Sequence, residues 1–93
     1  MHFSISGVCT FARGHVSGAQ ENIGMSNSAD ECGVKARRKR PRANGATWSS
    51  DGTKWCYAHV GPVSFIAGTE GREGCLYQGN YIALELNVVK FCE

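Results

Sequence analysis

Six cations crowd into eight positions: Lys35, Arg37, Arg38, Lys39, Arg40 and Arg42. Such a cluster can neutralise several phosphates or sulfates and release their counterions, which gives salt-sensitive binding to a polyanion. A second set of chemically able residues is Trp55, Tyr57 and His59, which alternate with Cys56, Ala58 and Val60. Alternation along a strand puts the first three on one face, where Trp55 and Tyr57 can stack bases or sugars beside the cations. The same parity sends Cys56 and His59 to opposite faces, so a Cys–His nucleophile pair or shared metal site there would need a bulge. The third set is five cysteines, Cys9, Cys32, Cys56, Cys75 and Cys92. No Cys-x-x-Cys spacing occurs, so the paired ligands of a zinc knuckle and the thioredoxin-type redox pair are absent. No cofactor is expected.

These residues sit on a chain of 93, with net charge +2 and a hydrophobic fraction of 42%. That length supports one domain spanning residues 1–93 and one core. Removing the six clustered cations would turn the net charge to −4, so the basic character belongs to one segment. No apolar run approaches the roughly 20 residues that a membrane-spanning helix needs. Wide cysteine spacing suits long-range disulfides in an oxidising compartment, with two bridges and one thiol left over. Met1–Ser6 carries no basic or apolar signal-peptide region. The sequence therefore reads as the mature domain of a secreted protein with an added start Met. A nuclear protein is the alternative if the cysteines are reduced, because the basic run resembles a nuclear localisation signal. The run also resembles a furin- or Kex2-type processing site, with Pro41 placed to block cleavage.

The elements that must position these groups follow a period of two. Phe3–Phe11 and residues 81–92 alternate as strands, and strands are also expected at Thr47-Trp48, Lys54–Val60, Val63–Ala67 and Cys75–Tyr77. Asp51-Gly52, Gly61-Pro62 and Gly79-Asn80 supply turns. The fold expected is all-β, an antiparallel six-strand sandwich or small barrel, with a long basic loop over about Ser26–Asn44. An α+β fold with one short N-terminal helix at His15–Met25 is the alternative. Cys9 and Cys92 share the core-facing parity of the two terminal strands, so a Cys9–Cys92 bridge is expected.

Val16-Ser17-Gly18-Ala19-Gln20, Tyr57-Ala58-His59, Glu70 and Arg72 faintly resemble the T1-type fungal ribonucleases. That resemblance implies His59, Glu70 and Arg72 as catalytic positions, yet no histidine follows His59 to serve as the final acid. In size, cysteine count and strand pattern the chain also resembles small secreted cysteine-containing effectors and killer toxins of fungi. That resemblance implies a non-enzymatic, monomeric protein acting by surface recognition of a host or competitor molecule. Its expected partner is a protein, or a polyanion such as RNA or heparin bound through the basic loop, with Lys35, Arg37, Arg38, Lys39, Arg40, Arg42, Trp55 and Tyr57 as the binding residues.

Overall fold

The computed structural model describes residues 9–77. They form β1 (Ala12–Ser17), β2 (Glu21–Met25), α1 (Ala29–Lys39), β3 (Ala43–Ser49), β4 (Trp55–Val60), β5 (Ser64–Ala67) and β6 (Arg72–Leu76). The strands make one sheet in the order β2-β4-β3-β6-β1-β5. Every pairing is antiparallel. The antiparallel, six-stranded expectation holds, but the sheet is open, with β2 and β5 at its edges, and one helix packs on it. The strands expected over Phe3–Phe11 and residues 81–92 fall wholly or mostly outside the described residues, and Cys9–Phe11 precede β1.

Two local expectations exchange places. The segment His15–Met25 is not helical but supplies half of β1 and all of β2. Gly14, Gly18 and Gly24 have φ of +144°, +108° and +104°, values that no helix contains. Val16 and Ile23, which match helical spacing, are instead buried β-branched residues of two separate strands. Conversely, the expected basic loop is largely the helix α1. Ser28 caps it in extended conformation, and its Oγ accepts from the Glu31 amide at 3.1 Å. Glu31 reaches back to accept from the Asn27 amide at 2.5 Å, a near variant of the capping box. Asp30 and Glu31 occupy the first turn and Arg37, Arg38 and Lys39 the last, so the charge run complements the helix dipole instead of opposing it. Pro41 follows the end of the helix, where the chain no longer needs an amide donor.

The centre of the core between α1 and the sheet is made of small residues, with Ile23, Tyr77 and the partly buried Phe11 and Trp48 around them. Cys32 and Ala36 on the helix meet Ala46, Cys56 and Ala58 on β3 and β4. Small side chains let the helix approach closely but bury little apolar area each, so covalent ties matter. Cys32 bonds Cys56 and Cys9 bonds Cys75, with Cα–Cα distances of 5.5 and 5.7 Å. The Cys9–Cys92 expectation is thereby corrected. Cys75 lies on β6 in the sheet interior, opposite Ala46, and takes Cys9 as its partner. Cys92 lies outside the described residues.

β1 changes partners midway. Ala12 and Arg13 pair with β6, and from Gly14 onward the strand pairs with β5. Thr47 alternates with Ala46 and Trp48 on β3, so it faces away from α1. There its Oγ1 accepts from the Val16 amide at 3.0 Å. The sheet therefore carries α1 on one face and the outer half of β1 against the other.

Candidate functional site

The cations of the basic run divide into engaged and solvent-facing groups. Arg40 lies at the helix end, where its guanidinium pairs with Glu21 of β2. That hydrogen-bonded contact, between two side chains each a little under half exposed, lowers the Glu21 pKa and raises that of Arg40. Arg37 stacks its guanidinium 4.8 Å from the Tyr77 ring centroid and donates to the Pro41 carbonyl at 3.0 Å. Tyr77 is itself buried, donates to the Gly33 carbonyl, and has its pKa pushed up to about 12 by burial. Lys35 donates one N–H to the Met25 carbonyl at 2.7 Å. Arg38, Lys39 and Arg42 are exposed. Lys35 and Lys39 stand four residues apart and Arg38 three from Lys35, which places them along one side of the helix.

This geometry sharpens the expected binding set. Arg37 and Arg40 hold α1 against Tyr77 and β2. Arg38 and Lys39 on the helix, and Arg42 just beyond its end, are presented outward, and the helix is fixed to β4 by a disulfide. Trp55 is exposed at the start of β4, while Tyr57 is half-buried and pairs with Thr47 and Asn22. The stripe expected from Trp55, Tyr57 and His59 is therefore graded, open at Trp55 and closed at His59.

His59 is fully buried. Its Nε2 lies 2.9 Å from Thr47 Oγ1. Burial pushes its pKa below the ordinary value, the Ala19 backbone carbonyl opposes that shift, and the neighbouring His15 reinforces it. Glu70 and Arg72 line a groove of about 460 Å³ with Arg13 and Ser50, and His59 is not part of that lining. The three residues of the ribonuclease resemblance are thus placed, but they do not face one shared cavity. Cys56, opposite in parity to His59 as expected, is bonded to Cys32 and offers no thiol. Among the described residues no three His, Cys, Asp or Glu side chains cluster to hold a metal ion, and no helix is long and apolar enough to cross a membrane.

A groove of about 480 Å³ opens beside the basic helix, between the β2–α1 turn and the start of β4. Its cations are Lys35, Arg38 and Lys54. Sequence reasoning assigned the first two to the binding set and missed Lys54, which is remote in the chain and has a φ of +64°. It also missed the groove itself. The Ser28-x-x-Glu31 pattern was the available signal, since it starts the helix that forms one wall.

Comparison of the chain with family models, with curated proteins and with solved structures finds no match.

Proposed function

We propose that the chain is a non-enzymatic, secreted binding protein of the effector or toxin kind that recognises a polyanion through the outer side of α1. The observation that carries this reading is the exposure of Arg38, Lys39 and Arg42 on and just beyond a helix held by Cys32–Cys56. A flexible loop would lose backbone freedom on binding, whereas a stapled helix has already lost most of its own, so that only the exposed side chains remain to be ordered. Two disulfides and an exposed cationic surface are compatible with work outside the cell.

The test is binding to heparin and to a single-stranded oligonucleotide across a salt titration. The Arg38→Gln/Lys39→Gln/Arg42→Gln variant should lose most of the affinity while keeping its circular dichroism spectrum. Recognition of a host or competitor protein is the second reading, favoured by exposed Met25, Val34 and Trp55. In that case partner binding would survive both the salt titration and the triple substitution.

A further inference from the structure

Ser26, in the wall of the groove between the β2–α1 turn and β4, carries a buried polar atom that the fold leaves unused. Ser26 lines this groove and is only 5% exposed. Its amide donates to the Lys54 carbonyl at 2.9 Å, and its carbonyl accepts from the Trp48 indole at 3.0 Å. Its hydroxyl has no hydrogen-bond partner among the described residues. A buried hydroxyl without a partner costs stability, so a site that keeps one invites the question of what satisfies it. Lys35, Arg38 and Lys54 line the same groove from two separate elements. Lys35 has three N–H donors and gives one to Met25, so two remain. The acid lining the groove is Glu31, whose Oε1 already accepts from the Asn27 amide.

We propose that this groove is a binding site for a tetrahedral oxyanion, a phosphate or sulfate ester group, held by Lys35, Arg38 and Lys54 with the Ser26 hydroxyl as a neutral donor. The inference rests on the polyanion reading above and narrows it, from a diffuse cationic surface to one site that a single ester group fills. Three cations against one carboxylate leave the site positive, and the Ser26 hydroxyl adds a direction that bare charge lacks. Glu31 limits the affinity by like-charge repulsion while it serves as a helix cap.

The test is titration of the isotope-labelled protein with inorganic phosphate and with sulfate at constant ionic strength, using chloride as the control. The Trp48 indole N–H resonance should move saturably, because that group bonds the Ser26 carbonyl, and the Glu31 and Lys35 amides should move with it. Ser26→Ala removes no hydrogen bond of the fold, so its melting temperature should hold while affinity drops roughly tenfold, the effect of one hydrogen bond to a charged group. Lys54→Gln should weaken binding similarly. Glu31→Gln keeps a capping side chain and removes the opposing charge, so it should tighten binding roughly threefold at low salt.

A 5′-phosphorylated dinucleotide and a sulfated disaccharide then distinguish the two sources of the ester group, and tighter binding of either supports the site. Shifts that fail to saturate, that chloride reproduces, or that persist unchanged in Ser26→Ala and Lys54→Gln overturn it. If polyanion binding survives beside a groove that takes no anion, this inference fails and the broader reading stands. If the groove saturates but polyanions do not bind, the broader reading fails instead.

Discussion

Thr47 Oγ1 lies 2.9 Å from His59 Nε2 while also accepting the Val16 amide, so one hydroxyl ties β3 to both β4 and β1. With Val16 as donor to the oxygen, the hydroxyl proton is free to point at a neutral imidazole. A protonated His59 would present an N–H there and leave a buried charge. Burial accordingly holds its pKa below the ordinary 6.5. Between the folded and unfolded values the unfolded chain binds more protons, so stability rises with pH in that window. The contribution is complete above about pH 6.5 and declines as the pH falls below it. Glu21 and Asp51 have pKa values lowered from 4.5 and 3.8, so their share of acid sensitivity appears at lower pH. Urea midpoints measured from pH 8 to pH 5 should fall in the wild type. The fall should be shallower in His59→Gln, and an equal fall in both proteins would contradict this assignment.

The Cys32–Cys56 bridge spans 24 residues and fixes α1 to β4. In the loop-entropy treatment its removal costs about 3 kcal/mol. Because the helix packs through Cys32, Gly33 and Ala36, it has little apolar area with which to hold itself down. Cys32→Ser/Cys56→Ser should therefore lose helical circular dichroism before the sheet melts. Native intact mass should also lie four hydrogens below the fully reduced mass, two for each bridge.

Gly14 marks the point where β1 leaves β6 for β5. Its φ is +144°, and an added Cβ would overlap the Ile66 carbonyl oxygen and lie 2.7 Å from the Phe65 ring and 3.0 Å from Ala67 Cα. The backbone of β5 cannot yield as a flexible side chain would. Gly14→Ala should cost about 2–3 kcal/mol, from strain and overpacking together. Gly52, with φ of +102° and open space around it, should tolerate Ala at a smaller cost. Comparing the two denaturation curves separates crowding from backbone conformation.

The sequence alone made the sheet legible where alternation was strict and turn residues bounded it. Lys54–Val60 and Val63–Ala67 were each located to within a residue of β4 and β5. It misled where small residues carry the packing. The buried side of α1 is Cys32, Gly33 and Ala36, which registers as no apolar face at all, so the charge run beside it reads as a loop. Over His15–Met25 the spacing of Val16, Ala19 and Ile23 fits a helix, which the positive φ values of Gly18 and Gly24 exclude. The candidate site was legible in part. Charge density located Lys35, Arg38, Lys39 and Arg42, but local sequence does not reveal that Arg37 stacks on Tyr77 or that Arg40 pairs with Glu21. Ser26 and Lys54 meet only through tertiary structure, and no spacing rule joins them.

The central claim is that the outward cations of the stapled helix bind a polyanion, and salt dependence of affinity tests it most directly. Dissociation constants for a single-stranded oligonucleotide should be measured from low to high salt for the wild type and for Arg38→Gln/Lys39→Gln/Arg42→Gln. Each phosphate neutralised on a single strand contributes about 0.7 to the logarithmic slope, so losing three contacts should flatten it by about 2. Arg37 and Arg40 stay intact in this variant, so their contacts with Tyr77 and Glu21 keep the helix in place. A wild-type affinity that falls steeply with salt, and a variant slope lower by about that amount, is the predicted result. An identical slope in the two proteins, or a wild-type affinity indifferent to salt, would contradict the claim.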